Sequence, residues 1–156
     1  MITKIIQLTK KPLSFLKLLP EDIIALTARF AIAAVFWRSA QTKINGWDFM
    51  GQSWQFFNLN SSTIMLFEYE YDLPLLNPEL AAYLATFTEF FVSIAVLIGL
   101  ATRFSALVFL GMTATIQIMV YPDAWPTHIL WAAILLYIIK HGPGKISLDN
   151  LLSGKT

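Results

Sequence analysis

Three stretches of about twenty residues, and a fourth slightly shorter, run through this chain almost without charge. They constrain the fold more than any other feature. The first starts after Glu21 and Asp22, continues through Ile23, Leu26, Phe30, Ile32, Val35, Phe36 and Trp37, and ends near Lys43. The second begins after Pro78 and Glu79 and reaches Gly99. The third runs from Thr102 and Arg103 to Tyr121 and Pro122, and the fourth from Trp125 to Lys140. A helix needs roughly 20 apolar residues to cross the hydrocarbon core of a bilayer. Only 13% of the 156 residues are charged and 56% are hydrophobic, against about 25% charged in a soluble domain. The stretches predict spans over about 22–43, 79–100, 102–121 and 125–140, and hence an all-α, membrane-embedded four-helix bundle. They use about half of the chain, so residues 1–156 read as a single domain. About twenty residues precede the first stretch, which favours a retained span over a cleaved secretory signal. In the fourth, Pro126 suits a first helical turn, and Gly142, Pro143 and Gly144 suit a stop just beyond the end.

With four spans the two termini share a side with the turn between spans two and three. That side carries Lys4, Lys10, Lys11, Lys17, Arg103, Lys140, Lys145 and Lys155. The other has Lys43 alone, with Asp48, Glu68, Glu70, Asp72, Glu79 and Asp123. Lysine and arginine concentrate on the cytoplasmic side of membrane proteins, so both termini are expected in the cytoplasm. Residues 1–19 mix apolar side chains with four lysines and are expected to lie at the interface on anionic headgroups, broken near Pro12. The outer loop from Trp47 to Pro78 holds Trp47, Trp54, Phe56, Phe57, Phe67, Tyr69 and Tyr71. It is expected to fold down as one short helix plus an extended cover, its aromatics anchoring the interface.

A charge at membrane depth is costly and is by default a pairing or functional candidate. Arg29, Arg38, Glu89 and His128 qualify. By helical rise, Arg29 lies about 21 Å below Lys43, and Glu89 about 15 Å in from Glu79, near mid-membrane. Thr86, Ala85 and Ser93 flank Glu89 on its own helix, small enough for a neighbouring helix to approach. Helical angle puts Lys43 within about 40° of Arg29, and Arg38 about 180° from it. Arg29, Ala33, Phe36, Ala40 and Lys43 therefore form one stripe, and Arg38 belongs to another with Thr27, Ala31, Ala34 and Gln41. Arg29 is the expected partner of Glu89, directly or through a polar group. Such a pair either glues spans one and two or binds or relays a proton for a ligand. Arg38 is only about 7.5 Å from the outer end of its span and either snorkels to the headgroups or converges with Gln117 and His128, which lie at similar depth. That convergence would make a small outer pocket suited to an anion or a quinone head group.

Several chemistries have no residues to carry them. The chain has no cysteine, which removes thiol nucleophiles, disulfides, Cys-ligated iron–sulfur clusters and c-type haem attachment. His141 lies at the opposite end of span four from His128, which argues against a bis-His haem, and no metal site is expected. Phosphate-binding and dinucleotide glycine motifs and HExxH are absent, as is a basic surface interleaved with aromatics for nucleic acid.

Several segments together resemble the DoxX family of small four-span bacterial membrane proteins. In span one, Arg29 with Phe36 and Lys43 is similar to the family's arginine followed later by a lysine. Glu89, then Leu97-Ile-Gly-Leu100 and Thr102-Arg103, is similar to its span-two pattern. His128-Ile-Leu-Trp131, Gly142-Pro-Gly144 and Ser147-Leu-Asp149 resemble its C-terminal pattern, and Glu70-Tyr-Asp-Leu-Pro74 followed by Ala81 and Ala82 resembles one branch. Ser39 and Ala40 stand where many relatives have glycine. The resemblance implies a bacterial inner-membrane protein, a redox-associated subunit on the quinone side of an oxidoreductase, working with protein partners. A non-enzymatic anchor or assembly factor remains the alternative, with a small transporter third; the last would need a break such as Gly111 within a span. The membrane lipids are the one partner that follows from the residues themselves. Neither catalytic activity nor oligomeric state follows from them.

Overall fold

The computed structural model describes residues 18–74 and 76–154. Four long helices make up most of it: α1 (Glu21–Gln41), α3 (Pro78–Ile98), α4 (Thr102–Thr115) and α5 (Trp125–His141). Two short ones complete the set, α2 (Ser61–Leu66) in the loop after α1 and α6 (Leu148–Leu152) near the C-terminus. The only strands among the described residues are β1 (Asp48–Phe49) and β2 (Gln52–Ser53), an antiparallel pair in the same loop. Among the described residues, three helical stretches are long and apolar enough to cross a bilayer: Glu21–Gln41, Pro78–Ile98 and Thr102–Val120. The protein is an all-α membrane protein. Helix α5 has 17 residues, about 25 Å of rise, and packs against α4 and α1. The expected interfacial segment 1–19 falls, apart from Leu18 and Leu19, outside the described residues.

Packing follows side-chain size. The closest helix pairs are α1 with α3 and α4 with α5. Ala33, Ala40, Ala82, Thr86 and Ser93 are all buried and let the first pair approach without bulky side chains between them, which matters where lipid removes the hydrophobic drive between helices. Between the pairs, Phe36 of α1 stacks on Phe109 of α4 with ring centroids 3.9 Å apart, and Trp131 of α5 leans on Phe36 at 5.6 Å. Outward-facing Phe30, Leu84, Phe104, Leu107, Ile129 and Leu136 remain exposed, as side chains facing hydrocarbon do.

The ends of the helices are tied at the α1-start end by the C-terminal segment. Helix α4 has no cap of its own: Ala101 before it takes a left-handed conformation, and the Asp149 carboxylate accepts the Ala101 and Thr102 N–H bonds at 2.7 and 2.8 Å. Asp149 N–H in turn donates to Gly99 C=O. Asp22 at the start of α1 accepts from the Lys145 N–H at 2.7 Å. A carboxylate at a helix N-terminus satisfies orphan donors and favours the dipole. Burial opposes ionisation of Asp149, but the hydrogen bonds from Thr102 and Ala101 prevail and hold its carboxyl below the usual range. Thr102 and Arg103, Gly142-Pro-Gly144 and Ser147-Leu-Asp149 are therefore parts of one clasp.

Among the described residues two turns widen beyond α geometry. Phe67–Tyr71 after α2 and Ile116–Val120 after α4 are wound as π-helix, a form that concentrates at functional sites. They meet at the end opposite the clasp, where Tyr121 donates to the Glu70 carboxylate and Tyr71 sets its ring edge-on to Tyr121 at 5.7 Å. Burial and that carboxylate push the Tyr121 phenol well above its ordinary range. The outer loop thus contains the expected short helix plus a β-turn ribbon.

Candidate functional site

The stripe Arg29, Ala33, Phe36, Ala40 and Lys43 is buried along its whole length, yet the two basic residues go to different partners. Arg29 donates to the Leu97 C=O at 3.0 Å and to the Ile146 C=O, joining α3 and the C-terminal segment to α1. Lys43 pairs with Glu89, its Nζ 2.9 Å from one carboxylate oxygen and 3.1 Å from the other. The expectation that Arg29 would pair with Glu89 is corrected. The reason is directional: helical side chains lean toward the N-terminus, so the Arg29 guanidinium swings away from mid-membrane. Lys43, just past the end of α1 at Gln41, folds back into the bundle by the same lean. Ser39 completes the group, its hydroxyl donating to Glu89 at 3.0 Å and accepting from Lys43 at 2.7 Å.

Gly99 explains the Leu97-Ile-Gly-Leu segment. Its φ is +74°, and a Cβ there would overlap the Arg29 guanidinium and Ser147. Only glycine meets both demands.

The outer residues divide similarly. Gln117 and His128 are 2.7 Å apart through Oε1 and Nδ1. Gln117 Nε2 donates to the Pro122 C=O at 2.7 Å, which fixes the amide with its oxygen toward the ring. An amide oxygen only accepts, so Nδ1 carries the proton and, in the neutral ring, Nε2 is left as an acceptor. Arg38 does not join them. It is exposed, on the outward stripe with Thr27, Ala31 and Ala34, and lines neither cavity that His128 borders.

His128 has Glu89 as its companion instead. Both border a cavity of about 350 Å³ whose wall also includes Ser39, Ala85, Thr115 and Trp131, while Phe67, Tyr71 and Leu73 of the outer loop and Tyr121 close its top. The loop expected mainly as an interface anchor is therefore partly a cover, and Phe67 is buried in that role. Glu89 and His128 are 4% and 5% exposed, but Leu84 of α3 at the rim is 50% exposed, and so is Thr115 of α4 to a large degree. The cavity thus has a polar floor, a covered top and a flank between α3 and α4 that faces lipid. The juxtaposition of Glu89 with His128 escaped sequence reasoning because the two share no helix. Their closeness in depth, each about half a span or less from the same end, was the available signal. Helix α4 runs unbroken through Gly111, which has open space around it. Among the described residues no three His, Asp or Glu side chains converge to hold a metal ion.

Comparison with known proteins adds one finding. No curated protein and no solved structure matches the chain. The DoxX family model matches residues 24–122, more than half of the sequence, from the start of α1 through the second π-turn, and so includes Arg29, Lys43, Glu89 and Gln117. The chain belongs to the DoxX family.

Proposed function

We propose that the protein is a redox-associated subunit of the bacterial inner membrane, with both termini in the cytoplasm, that holds the head of a lipid-soluble aromatic alcohol of the quinol class beside Glu89 and His128. The observation that carries this reading is the cavity: mostly apolar, a few hundred Å³, with a small number of convergent polar groups, as ligand sites are. Its flank toward lipid supports a ligand that arrives from the bilayer rather than from water.

The polar groups favour one redox form of the ligand. The Glu89 carboxylate only accepts hydrogen bonds, and neutral His128, with Nδ1 committed to Gln117, offers only Nε2 as an acceptor. Ser39 spends its proton on Glu89 and Thr115 spends its own on the Gly111 C=O at 3.1 Å, while the Thr88 and Tyr71 hydroxyls on the wall can both donate and accept. The two buried groups, Glu89 and His128, are acceptors, which favours a head that donates, a hydroquinone or phenol, over a quinone, which only accepts. When bound, such a molecule supplies the redox chemistry. The chain's own residues position its hydroxyl groups, keep water away under the aromatic cover and offer bases for the protons. Lys43 and Ser39 orient the Glu89 carboxylate, and Gln117 holds the His128 tautomer. Partner proteins exchange the electrons in this reading, since the sequence has no cysteine and no cluster of metal-ligating side chains occurs among the described residues.

A photoreactive quinol analogue tests the proposal in the purified full-length protein. Labelled peptides are expected from α3, α4 and α5. Ala85→Trp, which fills the cavity, is expected to abolish labelling, whereas Leu107→Trp on the lipid face leaves it unchanged. Labelling that is indifferent to Ala85→Trp overturns the assignment.

The buried Lys43–Glu89 pair supports a second reading, a non-enzymatic anchor or assembly factor in which that pair only joins α1 to α3. Under it, Ala85→Trp leaves every partner-dependent activity intact.

A further inference from the structure

At the clasp end, far from Glu89, a second and larger cavity of about 720 Å³ opens between the start of α1, the start of α4, the end of α5 and the C-terminal segment. Its wall carries both signs of charge. Arg103 and Lys145 supply the positive groups, Glu21, Asp22 and Asp149 the negative ones, and His141 adds an imidazole.

These charges do not neutralise one another. Among the described residues the Lys43–Glu89 pair is the one salt bridge, so no base in this cavity lies within 4 Å of a carboxylate. Both oxygens of Asp149 are spent on backbone N–H groups, and one oxygen of Asp22 on another. Glu21 is exposed and has no hydrogen bond among the described residues. On the other side, the Arg103 guanidinium lies along the α-carbon of Gly142, 3.4–3.8 Å from where a Cβ would stand. His141 is stacked on Tyr137 with centroids 4.6 Å apart. Arg103 and Lys145 donate no side-chain hydrogen bond among the described residues. The bases are placed by packing, and their hydrogen-bonding capacity is left for something else.

We propose that this cavity seats a phosphate group that carries a primary ammonium close by, the head-group chemistry of a phosphoethanolamine lipid. A simple anion would leave Glu21 and Asp22 facing it, and a simple cation would leave Arg103 and Lys145 facing it. A zwitterion satisfies both sides. The guanidinium fork matches phosphate oxygens, and a primary ammonium donates three hydrogen bonds to carboxylates, which a quaternary one cannot do. The cavity lies where the helices end, and Phe104 on its wall is 69% exposed, a surface for the acyl chains of a lipid source. Free phosphoethanolamine shares the head-group chemistry without the chains.

The test uses the full chain in nanodiscs of phosphatidylcholine containing equal amounts of phosphatidylethanolamine and phosphatidylglycerol, with retained lipid read by native mass spectrometry. Wild type is expected to retain phosphatidylethanolamine in preference to both others. Arg103→Ala is expected to lower that retention about tenfold, the loss of a charge-assisted hydrogen bond. Lys145→Gln is expected to act in the same direction and stands in should Arg103→Ala not fold. Glu21→Gln is expected to erase the preference over phosphatidylglycerol while retaining phospholipid. Displacement of retained lipid by soluble phosphoethanolamine but not phosphocholine would assign recognition to the head alone, and failure of both would assign it to the whole lipid; each supports the seat. Equal retention of the three lipids by wild type, or undiminished retention by folded Arg103 and Lys145 variants, overturns it.

Discussion

Lys43 and Glu89 put two opposite charges at depth in a protein made for lipid, and the cost of that choice depends on their remaining together. Removing one partner of a buried pair leaves an uncompensated charge, at about 3–5 kcal/mol, whereas replacing both with apolar residues of similar volume is often neutral or stabilising. Lys43→Met alone is therefore expected to destabilise strongly, and Lys43→Met with Glu89→Leu to recover most of the loss, read by thermal unfolding in detergent. A double variant no better than the single would mean that Ser39 or another neighbour dominates. Gly99→Ala is expected to loosen the opposite end, since strain at a positive φ adds to displacement of the Arg29 guanidinium; limited proteolysis near Ile146 would report it. The sequence makes Arg29, Lys43 and Glu89 conspicuous as charges in apolar surroundings, and their burial follows from helical angle. The pairing does not follow, because it depends on which way a long side chain leans and on α1 ending two residues before Lys43. His128 and Gln117 could be matched by depth along adjacent spans. Arg38 sits at the same depth but on an outward face, so depth alone was insufficient there.

At the level of elements, the clasp shows how a terminal motif can be structural. Asp149 belongs to α6 but caps α4, and the segment that carries it also accepts a bond from Arg29 of α1 and donates one to Asp22. A capping residue is worth about 0.5–2 kcal/mol, so Asp149→Ala is expected to cost that much at neutral pH. The sign with pH follows from the depressed carboxyl. The folded state holds the proton less readily than the unfolded one, so the contribution is complete above the unfolded carboxyl range and fades as the pH falls through the folded value. The stability difference between wild type and Asp149→Ala is thus expected to shrink on acidification; a constant difference would remove the ionised cap from the account. Helices α1, α3, α4 and α5 were legible from apolar run length and from signals such as Pro126 and Gly142-Pro143-Gly144. The π-turns were not, because an extra residue within a turn leaves no mark on hydrophobic periodicity, and they are the elements that shape the roof of the cavity.

Across the whole molecule, the two ends carry different chemistry. One end gathers Arg103, His141 and Lys145 around the clasp, and the other gathers Glu70, Tyr71 and Tyr121 over the cavity. The positive-inside rule leads us to propose that the clasp faces the cytoplasm. A C-terminal reporter that is active only in the cytoplasm is expected to be functional, and one that requires export silent; the reverse would invert the topology. In the proposed function, α3 and α4 form the flank through which a lipid-soluble ligand reaches Glu89 and His128, and the two buried acceptors favour a ligand that donates. The most direct test of that claim is the relative affinity of one short-chain quinone analogue in its two redox forms, measured on the purified full-length protein under anaerobic conditions. The hydroquinone is expected to bind at least about tenfold more tightly than the quinone, since a site that accepts hydrogen bonds discriminates against a ligand that cannot donate them. Equal affinity, preference for the quinone, or no binding of either form would contradict it.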